Sequence, residues 1–98
     1  MDKIYTLNNL VFEWDEVKYT LNFSRHGVTF EEAAEVFFDS ENIYGDASRT
    51  DEFREYVTGF SFSGNLLFTV FLERGERVRI ISARKATRPE AIQYGDRE

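Results

Sequence analysis

One histidine and a run of basic residues are the side chains in this sequence best suited to act on a phosphate ester. His26 is the only histidine, and its ordinary pKa of about 6.5 lets the imidazole exchange a proton near neutral pH. Arginine can donate two parallel hydrogen bonds to a phosphate. Five bases and no acid occupy the stretch from residue 77 to residue 89: Arg77, Arg79, Arg84, Lys85 and Arg88.

Each of these residues also has a purely structural explanation. His26 lies where a helix is predicted to end, and cations commonly stabilise that end of a helix. Arg77 and Arg79 could pair with acidic neighbours on a solvated strand face. Arg84 and Lys85 are more suggestive, because they precede the N–H groups that open the last predicted helix.

The composition excludes several other kinds of site. The chain has no cysteine and one histidine, so the sequence offers neither a cysteine nucleophile nor a thiolate zinc site, and we expect no metal or cofactor. Glu31, Glu32 and Glu35 line the outer face of a predicted helix without a His or Asn cluster to support a metal. Tyr94, near the C-terminus, stays open as a phenol that could stack on a base or move a proton.

Length and charge indicate one small acidic domain with a local basic region. The 98 residues carry a net charge of −6, and we expect a single domain over residues 1–98. Residues 1–53 hold 12 acids and 4 bases, whereas residues 54–98 hold 6 acids and 8 bases. A basic site on an acidic body is therefore compatible with the overall charge. No stretch is long and apolar enough to span a membrane, and we expect a cytoplasmic protein.

The N-terminal half predicts two extended segments followed by two helices. Residues 4–7 and 10–13 look extended on either side of a turn. Asp15 is placed to cap a helix that ends near His26, with Val17 and Leu21 continuing the face of Trp14 and Gly27 as a left-handed cap.

A second helix begins with unusually complete signals. Thr29 and Glu32 form a T-x-x-E capping box. Apolar residues then follow the spacing of a buried helix face to about residue 39, namely Phe30, Ala33, Ala34, Phe37 and Phe38.

The C-terminal half changes to a period of two. After a polar loop over residues 40–53 with room for one short strand, residues 56–62, 66–72 and 78–83 read as strands joined by tight turns. Strict alternation places Arg77, Arg79, Ile81 and Ala83 on one face of the last strand. Thr87 and Glu90 form a second T-x-x-E box that opens a helix over residues 88–97. The predicted fold class is α+β, with helices packed on an antiparallel β-meander and a short C-terminal helix.

Three segments in order resemble the BrnT family, the toxin half of bacterial type II toxin–antitoxin pairs. They are residues 12–15 (FEWD), 25–33 (RHGVTFEEA) and 79–87 (RIISARKAT). The resemblance covers roughly residues 11–94, and the N-terminal extension over residues 1–10 is longer than the family's usual start. It implies a RelE-like fold and a ribonuclease that blocks translation. It also implies a BrnA-like antitoxin that dimerises through a ribbon-helix-helix part, binds operator DNA and neutralises the toxin.

By position, the resemblance points to five catalytic residues: His26, Arg79, Arg84, Lys85 and Tyr94. Arg77 and Arg88 are expected to contact RNA beside them. The implied reaction needs no metal: the RNA 2′-OH attacks the adjacent phosphorus, Arg79 and Arg84 stabilise the charge, and His26, or failing that Tyr94, moves a proton.

Two other functions are compatible with the sequence. A decayed toxin would act only by binding its antitoxin in a complex that regulates transcription, and the acidic surface favours this alternative because it would attract basic arms. A stand-alone nucleic-acid-binding domain has less support, since little phosphate-binding capacity lies outside residues 77–89.

Overall fold

The computed structural model describes residues 1–95, and within these residues the fold is built from six strands and three α-helices. In chain order the elements are β1 (Asp2–Leu7), β2 (Leu10–Asp15), α1 (Glu16–His26), α2 (Phe30–Glu35), a 3₁₀ turn (Val36–Phe38), β3 (Ile43–Asp46), β4 (Glu55–Phe60), β5 (Leu66–Arg74), β6 (Arg77–Lys85) and α3 (Arg88–Gly95). Residues 96 and 97 of the predicted last helix lie outside the described residues. No helix within residues 1–95 is long and apolar enough to cross a membrane.

All six strands form one sheet in the order β1-β2-β6-β5-β4-β3. Every neighbouring pair is antiparallel except β2 and β6, which run parallel over the pairs from Val11–Arg77 to Glu13–Arg79. The predicted α+β class is confirmed. The sequence predicted two extended segments on either side of a turn. It did not predict that they would pair as β1 and β2, or that β2 would join the last strand and make it central.

The core lies between one face of the sheet and the helices α1 and α2. We call this side the helix face; it carries Phe12, Trp14, Leu67, Phe71 and Ile80, all nearly or fully buried. Phe30, Ala33 and Ala34 of α2 are buried against these residues as predicted, and Phe37 and Phe38 pack at the margin of the cluster. Each fully buried large apolar side chain contributes about 1.5–3 kcal/mol, so these rings hold the helices on the sheet.

Local capping follows the sequence closely. Asp15 Oδ2 accepts a hydrogen bond from the Lys18 backbone N–H at 3.0 Å, and Gly27 closes α1 with φ +67°. Thr29 Oγ1 accepts from the Glu32 N–H at 3.1 Å. The reciprocal half of that capping box is not made, because the Glu32 carboxylate instead accepts hydrogen bonds from the polar groups of the β4–β5 turn, Ser61, Ser63 and Asn65.

The prediction of which face of α1 is buried is wrong. Val17 and Leu21 are 63% and 51% exposed, while Asn22 is buried. The Asn22 amide donates to the Ala83 carbonyl at 2.8 Å and its Oδ1 accepts from the Ala83 N–H at 3.1 Å. Since β2 ends at Asp15, the rest of the β6 edge has no strand beside it there, and Asn22 supplies hydrogen bonds that buried backbone groups require.

A β-bulge corrects the predicted alternation along β6. Val70 pairs with Ser82 but Phe71 pairs with Ile80, so Ile81 is an extra residue in β6. Ala83 is therefore buried on the helix face with Val78 and Ile80, not on the face of Arg79 where strict alternation put it.

Candidate functional site

The bulge gathers the three predicted arginines of β6 on one side of the sheet. We call the side away from the buried core the open face; α1 lies along the edge of β6 at Ala83, next to that face. Because Val78, Ile80 and Ala83 point to the helix face, and Lys85 lies there too, opposite the buried Leu67, the other side chains of the strand share the open face. These open-face residues are Arg77, Arg79, Ile81, Ser82 and Arg84.

Arg79 is held by two carboxylates of the same chain. Its Nη1 donates to Glu13 Oε2 at 2.8 Å, and its Nη1 and Nη2 donate to the two Asp2 oxygens at 3.0 and 3.2 Å. The hydrogen bond with Asp2 raises the pKa of Arg79, against desolvation, which lowers it, and the bond with Glu13 raises it further. The side chain is only 18% exposed. A phosphate would have to compete with these two partners.

Glu13 is the centre of a cluster that also includes Arg74 and Arg77. Their Nη1 atoms donate to the Glu13 carboxylate at 3.2 and 3.4 Å. Burial alone would raise the pKa of Glu13, but the hydrogen bonds from Arg79, Arg77 and Arg74 hold it below its ordinary value. The cluster ties β2 to the β5–β6 hairpin, and this explains Arg77 structurally, as the sequence allowed.

Arg84 sits at the end of an aromatic row that crosses three strands of the open face. Its guanidinium carbon lies 4.4 Å from the centre of the Phe68 ring. The Phe68 ring in turn stacks on Tyr56 at 4.8 Å, and Tyr56 covers Gly45, where a Cβ would collide with the ring. The Phe68 ring therefore attracts the Arg84 guanidinium and holds it on the open face.

Glu90 pairs with Arg84 from the first turn of α3. Its two carboxylate oxygens accept from Arg84 Nη1 and Nη2 at 2.8 and 3.0 Å. Glu90 Oε1 also accepts from the Thr87 N–H at 2.8 Å, so the predicted second capping box forms with both halves. Burial would raise the pKa of Glu90, but Arg84 and the Thr87 N–H lower it. Glu90 therefore occupies the two donors that would suit a phosphate.

Tyr94, Lys85 and Arg88 lie on the two elements that this pair joins, β6 and α3. The Tyr94 hydroxyl donates to Asp39 Oδ2 at 2.7 Å, and its ring meets Phe60 edge-on at 5.3 Å. Lys85 is exposed at the end of β6, and its charge contributes to lowering the pKa of Glu32. Arg88 is exposed at the start of α3.

His26 lies in a different place, in a groove between α1 and β6. We call it the α1–β6 groove; its volume is about 290 Å³. Three of its residues are exposed basic side chains that make no ion pair within residues 1–95: Lys18, Arg25 and His26. The other lining residues are Leu21, Asn22, Ile81 and Ser82. The structure thus places His26 beside Ile81 and Ser82, and separately from the pair of Arg84 on β6 and Glu90 on α3.

A larger groove on the other flank of α1 contains none of the predicted site residues. It measures about 460 Å³ and includes the carboxylates Glu16 and Glu31 with a single cation, Lys3. The Tyr19 hydroxyl donates to Glu31 at 2.7 Å, and burial with this bond raises the pKa of Tyr19 to about 12. Two carboxylates and a neutral phenol make this groove a poor site for RNA.

Three residues that line the α1–β6 groove were not predicted as site residues from the sequence: Lys18, Arg25 and Ser82. Lys18 and Arg25 are seven residues apart, which places them on one face of a helix, so the spacing could have identified them. Ser82 joins the open face only through the bulge. No group of three or more His, Asp or Glu residues that could hold a metal occurs in the described part of the chain.

Comparison with known proteins identifies the class first and then the family. A family described as "Ribonuclease toxin, BrnT, of type II toxin-antitoxin system" matches residues 14–90, which is most of the chain. The class is therefore the toxins of type II toxin–antitoxin systems. Within that class, the chain belongs to the BrnT family, and the resemblance drawn from the three sequence segments is confirmed.

A solved structure supports the same fold. A crystal structure of the Brucella abortus ribonuclease toxin BrnT matches with a TM-score of 0.58 and 23% sequence identity. The match covers 76% of this chain and 94% of the other. Comparison with curated proteins found no match. The family match begins at Trp14, so β1 and most of β2 precede it.

Proposed function

We propose that this chain is a metal-independent endoribonuclease of RelE-like type that cleaves RNA in the cytoplasm and thereby inhibits translation. Family membership supports ribonuclease activity. The observation that supports the proposal is the open face of β6. Arg79 and Arg84 lie on either side of Ile81 and Ser82, and these two residues line the α1–β6 groove with His26 of α1. Cations on the strand and a proton carrier on the adjoining helix are thus both available. A phosphodiester needs both for cleavage.

The reaction follows from RNA's own nucleophile. A base removes the proton of the 2′-OH, whose oxygen attacks the adjacent phosphorus, and the bond from phosphorus to the 5′-oxygen breaks. The 5′-oxygen takes a proton, leaving a 2′,3′-cyclic phosphate and a 5′-OH. No atom in this exchange has to come from a metal-bound water, and the single His and absent Cys of the sequence agree with a metal-free route.

We assign the roles by charge and exposure. Arg84 and Arg79 stabilise the charge that develops on the phosphate oxygens, with Arg84 exchanging its Glu90 partner for the phosphate. His26 transfers the proton, because it is exposed beside the open face; Tyr94 is the second candidate. Lys85 acts with the two arginines, and the exposed Arg77 and Arg88 contact the RNA further along.

One observation favours a second function, a toxin fold that has lost catalysis and acts only by binding its antitoxin. Arg79 and Arg84 each donate two or more hydrogen bonds to carboxylates of the same chain, namely Asp2, Glu13 and Glu90. In such a protein the arginines would be structural. The acidic surface would still attract a basic partner.

The partner we propose is a BrnA-like antitoxin with a ribbon-helix-helix dimerisation part, which contacts operator DNA while the toxin stays off the DNA. Its docking on β6 or α3 would cover the basic residues. Co-expression with the neighbouring open reading frame should then yield a complex that co-purifies. A neighbouring product that neither co-purifies nor relieves growth arrest would contradict this partner.

Induced expression with and without that neighbouring gene tests the function itself. We expect growth arrest and a fall in protein synthesis in its absence, with cleaved RNA in the arrested cells. Purified protein should cleave RNA, alone or with ribosomes, and leave cyclic-phosphate ends. Growth without arrest, together with no cleavage under either condition, would favour the decayed toxin.

A further inference from the structure

We propose that the α1–β6 groove binds one nucleotide of a single-stranded RNA, with the phosphate on Lys18 and Arg25 and the base against Leu21 and Ile81. The proposal takes its substrate class from the proposed function. It concerns binding, however, and can be tested without any cleavage. Nothing in the family match assigns Lys18, Arg25 or this groove to RNA.

Charge is the first argument. The arginines of the open face are paired with carboxylates, whereas Lys18, Arg25 and His26 make no ion pair within the described residues. Arg25 lies in the last turn of α1 and Lys18 near its start, so the partial negative charge of the helix C-terminus acts mainly on Arg25. This groove therefore offers phosphate two cations that need not first leave another partner.

Shape is the second argument. A nucleotide has an anionic phosphate at one end and a flat, largely apolar base at the other. The groove has the same division, with cations along α1 and the side chains of Leu21 and Ile81 beside them. Its volume of about 290 Å³ lies at the small end of the ligand pockets found in proteins, as expected for one nucleotide rather than a longer segment. Single-stranded RNA is commonly bound by such separated contacts to base and phosphate.

The walls of the groove are built by two features already described. The bulge turns Ile81 to the open face, and Asn22 fixes α1 to β6 through its hydrogen bonds with Ala83. Asn22 is buried and its amide is fully used, so it positions the walls and does not contact the ligand. Ser82, which lines the groove beside Ile81, offers a hydroxyl to the ribose or base.

Continuity with the rest of β6 is the third argument. Ile81 and Ser82 lie between Arg79 and Arg84 on the same face of the same strand. At about 3.3 Å per residue, Ser82 is roughly 7 Å along the strand from Arg84. A nucleotide in the groove would therefore bring the neighbouring phosphates of the same RNA near these arginines.

Binding of an oligonucleotide that cannot be cleaved tests the groove. The probe is a fluorescent single-stranded RNA of about eight nucleotides with 2′-O-methyl riboses, measured by anisotropy over a range of salt concentrations. We expect the Lys18→Ala/Arg25→Ala variant to lose roughly 10- to 100-fold in affinity. The slope of log affinity against log salt should fall by about 0.7, because the two side chains bind one phosphate.

The matched control is Lys3→Ala/Arg49→Ala, which removes the same charge from two exposed positions outside the groove. It should leave affinity and slope within twofold of wild type. Leu21→Ala, at a half-exposed position, should lower affinity by several-fold with an unchanged slope, because it removes an apolar wall and no charge. Equal losses in both double variants would mean that only net charge matters and would overturn the proposal.

Two more readouts separate the possible outcomes. Backbone amide shifts on addition of the probe should centre on residues 18–26 and 81–82; shifts confined to other strands would overturn the groove. A polyglutamate peptide that displaces the probe as well as unlabelled RNA does would show a general anion site and would also overturn it. RNA cleavage with no groove binding would leave only the proposed function standing, and groove binding without cleavage would leave only this inference.

Discussion

Arg79 and Arg84 lie on the same face of the sheet although Arg84 comes five residues after Arg79, an odd offset along one strand. Regular alternation would put them on opposite faces. The extra residue Ile81, between the pairs Phe71–Ile80 and Val70–Ser82, reverses the alternation after Ile80. Bulges re-aim side chains in this way, and here the consequence is a strand with three arginines on its open face.

The bulge predicts that β6 tolerates the loss of one of its two adjacent isoleucines better than the loss of Val78. Deleting Ile80 or Ile81 gives the same chain, which leaves regular pairing of β5 with β6 and keeps Arg79 and Arg84 together. Deleting Val78 would remove a buried side chain from the regular part of the strand, and we expect a cost of about 2–5 kcal/mol from that alone. Thermal melting of the two deletion variants makes the comparison. Equal destabilisation, or a more stable variant without Val78, would contradict this account of the bulge.

Much of the fold could be predicted because its signals are local. The caps Asp15, Gly27 and Thr29 depend on backbone groups within three or four residues. The bulge could not be predicted, because it depends on how β6 pairs with β5. The inward face of α1 was predicted wrongly for a similar reason: Asn22 is buried because β2 stops short and leaves the edge of β6 to be satisfied.

The candidate site, like the fold, was predictable only in the features that depend on local sequence. Sequence alone identified the basic residues of β6, but not that distant carboxylates would hold them. Arg79 is 77 residues from Asp2 in the chain and 66 from Glu13. Glu90 was recognised as a capping residue, and its second role as the partner of Arg84 required the fold.

Arg84→Ala should abolish cleavage while the protein stays folded. Loss of one donor that stabilises a transition-state charge commonly costs about 100- to 1000-fold in rate, roughly 3–4 kcal/mol. The variant also loses its contact with Phe68 and its ion pair with Glu90, so we expect some fall in melting temperature. RNA cleavage by purified protein and thermal melting measure the two effects separately.

Glu90→Gln is the variant that distinguishes catalysis from stability in this comparison. It weakens the same ion pair but keeps the Arg84 guanidinium, so cleavage should persist or increase while the melting temperature falls. Arg49→Ala, an exposed cation in the loop before β4, should change neither. If folded Arg84→Ala protein cleaved RNA at the wild-type rate, Arg84 would be structural only.

Chelation should leave cleavage unchanged. The mechanism proposed for the chain relies on His26 and arginines, and its reaction needs no metal-bound water. Cleavage of RNA by the wild-type protein should proceed at the same rate after dialysis against EDTA. Loss of activity that returns on addition of Mg²⁺, Mn²⁺ or Zn²⁺ would require a different mechanism.

Acid should destabilise the protein through Glu13, and the sign follows from the direction of the pKa shift. The pKa of Glu13 in the folded protein lies below its ordinary value of 4.5, because three arginines donate to it despite burial. The carboxylate thus binds protons less readily in the folded than in the unfolded state. The contribution of Glu13 to the free energy of unfolding is complete above about pH 5. It disappears as the pH falls through the lower pKa that Glu13 has in the folded protein.

Glu13→Gln should therefore cost stability near neutral pH and little at acid pH. We expect the free energy of unfolding to fall by about 2–3 kcal/mol at pH 7, because the three guanidinium groups would face a neutral amide where the wild-type protein has a carboxylate. Between pH 6 and pH 3 the melting temperature of wild type should fall further than that of the variant, and the two curves should converge. Glu76→Gln, in the exposed β5–β6 turn and outside the cluster, should follow wild type throughout. Parallel curves for wild type and Glu13→Gln, with a constant gap down to pH 3, would show that the three arginines do not hold Glu13 ionised.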